Sequence, residues 1–252
     1  MCSALVVTLV IVAAVLAPWP QPAGAAAAGT FELKLNYWPT TTTQTYGTSI
    51  INGQGSWTTP YLGGDFRWTG NQHWGIHLKY DTGSEGAFAG IEARRTVGTD
   101  TVWSADVFYA WQFARATVRA FAGYGSLLQA DTFSSRVYGA ETLTGTGWRL
   151  GADAVFSVPN SRWAFTASAA FLPSTATTYT AQGGGVLGKA PDTSSGNAQD
   201  YSLAVQYAWP QGWLVEAGYR WLNANYGQLP DYPCNPCATT TSGPTFAVGY
   251  RW

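Results

Sequence analysis

The sequence predicts an all-β chain closed into an antiparallel, up-and-down transmembrane β-barrel of about twelve strands, with ten as the alternative. Three observations carry that prediction. Apolar and polar side chains alternate with period two in segment after segment, ionic side chains collect on the polar face, and tryptophans gather near the segment ends. Alternation over such lengths marks β-strands with one apolar and one polar face. Charged residues are 11% of the 252, with 13 Lys+Arg, 14 Asp+Glu and a net charge of −1, while aromatics reach 15%. A soluble domain carries roughly a quarter charged residues. The composition excludes a disordered chain, because aromatic-rich, weakly charged sequences bury enough apolar surface to fold. It also argues against nucleic acid as a partner, since no net positive charge is available for phosphates. Neither a Gly every third residue nor a heptad repeat occurs, which excludes collagen and coiled-coil architectures.

The first element is read as an export signal. Residues 5–16 run LVVTLVIVAAVL, too short for a bilayer-spanning helix, which needs about 20 residues. The following PWPQPAGAAAA breaks a helix and supplies small residues that suit signal cleavage. Residues 1–25 are therefore expected to be a signal peptide and residues 26–252 a single barrel domain. One feature departs from the pattern: residues 1–30 contain no Lys or Arg, so the usual positive leader is missing. After residue 30 no apolar run is long enough for a transmembrane helix.

The strands follow in order. Phe31, Leu33, Leu35 and Tyr37 alternate with Glu32, Lys34 and Asn36, and Leu62, Phe66 and Trp68 with Asp65 and Arg67. Trp74, Ile76, Leu78 and Tyr80 stand against His73, His77, Lys79 and Asp81, and Trp103 to Trp111 against Ser104, Asp106 and Gln112. The Ala116 to Tyr124 face opposes Arg115, Thr117 and Arg119, and the Trp148 to Phe156 face opposes Arg149 and Asp153. Trp163 to Phe171 oppose Arg162, Thr166 and Ser168, and Tyr201 to Trp209 oppose Asp200, Ser202 and Gln206. Val215 to Trp221 oppose Glu216 and Arg220, and the chain ends with Phe246, Val248, Tyr250 and Trp252 against Thr245, Gly249 and Arg251.

Period two alone fits two architectures. A soluble sandwich hides its apolar face between sheets, whereas a membrane barrel turns that face to lipid and its polar face to the lumen. The polar face here carries Arg and Asp/Glu in near balance, with no scattered coat of Lys and Glu. Many segments have the roughly 9–11 residues of a tilted crossing. Trp68, Trp74, Trp103, Trp111, Trp163, Trp209, Trp213, Trp221 and Trp252 lie near strand ends, as expected of an aromatic girdle whose N–H groups reach the head groups. A one-residue slip would turn a strand's charges into lipid, at about 2–4 kcal/mol per midplane Arg. Arg95 is the one charge that this register leaves off the polar face.

The chain resembles bacterial outer-membrane β-barrel proteins across its whole mature length. The likeness rests on the export signal, the alternating strands and a final strand, PTFAVGYRW, that ends in an aromatic residue. In that family such a strand end is the signal for the barrel-assembly machinery. The resemblance thus implies that machinery as a partner, outer-membrane lipid as surroundings, and the outer membrane of a diderm bacterium as location.

Short turns are expected at residues 158–161, at 210–212 and near 113–115, and long external segments at 126–144, 173–198 and 223–243. A count of twelve then requires residues 45–51 to form a short strand, with Asn52, Gly53, Gln54 and Gly55 as a periplasmic turn.

Candidate chemistry is sparse. His73 and His77 share one strand face but stand about 13 Å apart, too far to ligate one metal. Polar lining of the lumen is the plainer role, and pairing of either with Asp81 or Ser104 as a hydrolase is supported by no motif. Neither catalytic residues, metal nor cofactor is expected. Cys234 and Cys237 bracket Asn235-Pro236; lacking further zinc ligands and a helix start, they read as a surface disulfide. Gly183, Gly184 and Gly185 read as external loop.

The expected lumen charges are Glu32, Lys34, Asp65, Arg67, His77, Lys79, Glu92, Arg94, Asp106, Arg115, Arg119, Arg149, Asp153, Arg162, Asp200, Glu216 and Arg220. Interlocked across the barrel they would plug it, and lining opposite walls they would frame a narrow pore. The strand count and small inward residues (Gly75, Gly90, Gly123, Gly151, Ala170, Gly218) favour a porin-like passive pore for small polar solutes. The alternative is a closed structural or surface-recognition barrel acting through external loops, and a membrane-embedded hydrolase stands third.

Overall fold

The computed structural model describes residues 29–47, 52–70, 73–85, 98–126, 131–135, 139–182, 192–228 and 237–252. The expected signal peptide, Glu92, Arg94, Gly183–Gly185 and Cys234 lie outside them, as does the side chain of Cys237.

The strands are β1 (Thr30–Gly47), β2 (Asn52–Gly70), β3 (Trp74–Glu85), β4 (Gly98–Gln112), β5 (Ala116–Ser126), β6 (Asp131–Ser135), β7 (Gly139–Ser157), β8 (Trp163–Gln182), β9 (Asp192–Ala208), β10 (Trp213–Gly227) and β11 (Cys237–Arg251). Apart from β5 and β6, which do not pair with each other, consecutive strands pair antiparallel, and β1 closes on β11 from Glu32↔Arg251 to Tyr46↔Cys237. Closure leaves no sheet edge, the condition for a sheet in lipid. The wall has ten positions: β6 pairs with β4 and β7 above the end of the short β5 and so continues the fifth.

The count is ten, the alternative expected from the sequence, instead of twelve. Residues 45–47 prolong β1 and Asn52 opens β2, with Thr45↔Gln54 and Gly47↔Asn52 in register, so Asn52–Gly55 is strand instead of turn. β3 pairs directly with β4 from Trp74↔Tyr109 to Glu85↔Gly98, so these two are neighbours in the wall.

The connections 113–115, 158–162 and 209–212, and the facing strand ends Gly70 and Trp74, lie at one end together with Phe31 and Trp252, which exchange two backbone hydrogen bonds of 3.0 Å. In outer-membrane barrels this is the periplasmic end. Gly212 there adopts φ 94°, a left-handed turn conformation that glycine alone takes without strain.

At the opposite end the strands run far past a single membrane crossing: β7, β8 and β9 have 19, 20 and 17 residues, against the roughly 9–11 that span the hydrocarbon. Thus the described residues of the segments at 126–144, 173–198 and 223–243, read from sequence as loops, are almost all strand. Their alternation is hidden because both faces are rich in Thr, Ser, Asn and Gly above the membrane, where no lipid demands an apolar side. β8 also changes parity. Between Leu172 and Thr175 the register shifts, with Leu172 and Thr175 buried and Pro173 and Ser174 exposed between them. Such a bulge inserts one extra residue and exchanges the inward and outward sets beyond it.

Candidate functional site

The outward face of the wall is a belt. Beginning at the turns, Trp163, Phe165 and Phe171 on β8, Trp213, Val215, Tyr219 and Trp221 on β10, and Trp252 just past β11 with Val248 and Phe246 on it are all exposed. Beyond Trp221 and Phe246 the outward positions become Asn223, Asn225, Ser242 and Thr240. Rings meet edge to face at the turn-side border, as in Trp163–Tyr207 (4.9 Å) and Trp213–Tyr250 (5.3 Å), and at the far border in Tyr124–Trp148 (5.6 Å). The tryptophans expected as a girdle divide between these borders. Trp68, Trp74, Trp111, Trp163, Trp209, Trp213 and Trp252 lie near the turns, with Trp103 and Trp221 at the far side.

The interior is the inverse. Its turn-side half holds three linked ionic clusters. Glu32 is met by Lys34 (3.4 Å), by Arg67 (3.6 Å) and by Arg251, whose Nε donates at 2.8 Å. Lys34 also reaches Glu216 at 3.0 Å, while Arg67 (3.8 Å) and Arg119 (2.5 Å) converge on Asp153. The second cluster centres on His77, with Nε2 3.0 Å from Asp65 and Nδ1 3.7 Å from Asp106. Arg149 pairs with Asp106, donates to Ser104 Oγ at 3.1 Å and lies 4.6 Å over the Phe121 ring. In the third, Arg220 grips Asp200 through Nε and Nη2, both at 2.8 Å, and donates through Nη1 to Asp81 at 2.9 Å. Its guanidinium stacks 4.3 Å over Trp38, and Lys79 stands 3.7 Å from Asp81. Bidentate, charge-assisted bonds of this kind keep ions stable away from bulk water.

Above the ions the interior becomes a packed apolar storey. Trp38, Tyr61, Leu143, Leu172, Leu222 and Tyr226 point inward, none more than 2% exposed. Trp38 and Tyr61 stack at 5.0 Å, and the Tyr61 hydroxyl donates to Asp100 at 2.9 Å. Buried threonines tie strands together around them, as in Thr42–Thr241 at 2.9 Å. Phe108 and Leu214 are likewise buried toward the turns. The space left among the ions is about 120 Å³, bordered by Glu32, Lys34, Arg67, Arg149, Arg220 and Trp38 among others. That volume holds a few waters.

Of the expected lumen charges, Glu32, Lys34, Asp65, Arg67, His77, Lys79, Asp106, Arg119, Arg149, Asp153, Asp200, Glu216 and Arg220 border this space or its ion pairs. Arg115 and Arg162 do not: both are exposed in short turns, where a side chain stands off the wall's end instead of along its inner face. Their carbonyls accept bonds from Ser157 (2.8 Å) and Ala208 (3.1 Å). Asp81 and Arg251 join the network without having been among the expected lumen charges. The aromatic storey was not anticipated either, although a signal existed. Trp38 follows Tyr37, Tyr61 precedes Leu62, and Phe108 sits between Val107 and Tyr109. Where two bulky apolar residues adjoin in a strand with one face in lipid, the second must enter the lumen.

The histidines are not brought together for catalysis. His73 is exposed in the β2–β3 turn, its Nδ1 3.0 Å from the Ala110 carbonyl, while His77 is buried between two carboxylates. Ser104 Oγ donates to Asp106 at 3.4 Å and accepts from Arg149. Among the described residues no group of three or more His, Cys, Asp or Glu is arranged to hold a metal.

No protein-family model matches the sequence, and no curated protein resembles it closely enough to count as a relative. Solved structures do match in fold. The outer membrane protease OmpT of Escherichia coli superposes with a TM-score of 0.63 at 11% identity, covering 92% of this chain and 99% of that one. The translocator domain of the autotransporter NalP from Neisseria meningitidis gives 0.45 at 11% identity, covering 92% and 90%. Ail, the attachment invasion locus protein of Yersinia pestis, gives 0.35 at 10% identity, covering 89% and 99%. The chain has the fold of a bacterial outer-membrane β-barrel. Its oily belt with aromatic borders and its ionic interior are what that fold requires of a sheet in lipid. At such identities the likeness to OmpT is one of fold and carries no catalytic residue across.

Proposed function

We propose that this outer-membrane barrel is closed to solutes and acts as a structural or surface-recognition protein, through what its long strand extensions present outside the cell. The observation that carries this reading is the packed storey of Trp38, Tyr61, Leu143, Leu172, Leu222 and Tyr226 across the outer half of the interior. A passive pore, which the strand count favoured, needs a continuous wet path. The ions that would set its selectivity are engaged with one another, and the space among them is about 120 Å³. In this reading the protein is not an enzyme, since His77 and Ser104 are both held within ion-pair clusters.

Purified protein reconstituted in planar lipid bilayers is expected to give no conductance steps at moderate voltage, alongside a known porin that does. Reproducible unitary steps from the wild-type chain would overturn the closed-barrel reading.

A further inference from the structure

The closing seam between β1 and β11 contains a built defect. Phe31 and Trp252 exchange both backbone hydrogen bonds, so in an antiparallel ladder every second residue of β1 from Phe31 points its N–H and C=O at β11. Pro39 falls on that series, and the residue opposite it in the same register is Pro244. Neither has an N–H. Both hydrogen bonds of the pair are therefore impossible, and the ladder is interrupted between Tyr37↔Phe246 and Thr41↔Ser242. The carbonyls of Pro39 and Pro244 lose the ladder donors that ordinary residues would supply. An unpaired carbonyl is costly at membrane depth.

The defect has a shape. Pro39, Pro60 and Pro244, with Thr41, Thr58 and Tyr219, line an outward notch of about 480 Å³. Pro39 pairs with Pro60 across β1–β2, and Tyr219 with Pro244 across β10–β11. Gly243 forms part of the floor, and any Cβ there would run into the Pro39 carbonyl oxygen. The notch sits at the far aromatic border, beside Tyr219 and Trp221, where the oily belt gives way to Thr and Ser. It is thus continuous with the lipid-facing surface and level with head groups of the outer leaflet.

We propose that this notch binds one outer-leaflet lipid whose head group carries sugar hydroxyls. Those hydroxyls donate to the Pro39 and Pro244 carbonyls, the sugar ring packs on Tyr219 and the proline rings, and the acyl chains descend along Phe246 and Tyr37. Wet–dry border position, orphaned acceptors and ring-lined walls all suit an amphiphile with donors at its polar end.

The test is native mass spectrometry of protein released from phosphatidylcholine bilayers containing a minority of glucosyl diacylglycerol. The wild type is expected to retain one glycolipid and no phosphatidylcholine. The Pro39→Ala/Pro244→Ala variant gives each carbonyl a ladder donor. Its glycolipid retention is expected to fall about tenfold, the effect of forfeiting two hydrogen bonds. Its resistance to heat should rise, so that lost lipid cannot be blamed on misfolding. Tyr219→Ala, which leaves both prolines in place, should also lose the glycolipid. Equal retention by wild type and the double-alanine variant would overturn the proposal, as would retention of phosphatidylcholine as strong as that of glycolipid. Neither result bears on conductance, so this proposal and the closed-barrel reading fail separately.

Discussion

Replacing Arg220 with Ala is expected to destabilise the folded barrel by about 3–5 kcal/mol, the range for removing one partner of a buried ion pair. Arg220 holds Asp200 with two bonds of 2.8 Å and Asp81 with one of 2.9 Å, and it covers the Trp38 ring at 4.3 Å. Asp81 and Asp200 are both buried, so the truncation strands negative charge where water cannot reach it in bulk. Trp38 loses its cover on the same side. Arg220→Lys should fall between wild type and Ala, because an ammonium cannot make the fork-to-fork contact with Asp200. Removing the charge as well, in Arg220→Ala/Asp81→Asn/Asp200→Asn, should recover part of the loss, since the strandedness of the carboxylates is the main cost. Urea unfolding in lipid vesicles, followed by tryptophan fluorescence, measures all three. If the Arg220→Ala midpoint matches wild type, the ionic clusters do not hold the interior together.

The parts of the fold legible in the sequence are those where two solvents compete. From Phe31 to Tyr37, from Trp163 to Phe171 and from Val215 to Trp221, one face meets lipid and the other meets ions, so composition must alternate. Above the far aromatic border that competition ends. Residues 40–47, 52–59 and 237–243 are strand, but Thr serves equally on either face there, and periodicity carries no information. The bulge at Pro173 and Ser174 removed what alternation was left in β8 by exchanging its faces. The ions were legible one by one, since each sits opposite an apolar neighbour in its strand. Their partners were not, because Arg220 and Asp81 are 139 positions apart and meet only when the barrel closes. The aromatic storey was illegible for a related reason. Trp38 and Tyr61 are 23 positions apart, and only the β1–β2 register stacks them on the inner wall.

Arginine in place of Val205 is expected to cost about 2–4 kcal/mol, the penalty for that side chain at the bilayer midplane. Val205 faces outward on β9, paired with Phe165 on one side and Ala217 on the other. It lies between Tyr207 and Trp209 toward the turns and Tyr201 toward the outside, so the belt's middle passes through it. Snorkelling is limited there, because both interfaces are far along the wall. Arginine in place of Thr240, outward on β11 but beyond the far aromatic border, should cost about 0–1 kcal/mol. The contrast separates the membrane orientation from general intolerance of the strands to charge, since both positions are exposed or nearly so and both lie in regular ladder. Refolding equilibria in vesicles give the two values directly. Equal penalties would mean that depth in a bilayer is not what the two sites differ in. A larger penalty at Thr240 would place the hydrocarbon at the wrong level, and with it the proline notch beside Tyr219, which is argued to meet lipid head groups only because the belt stops there.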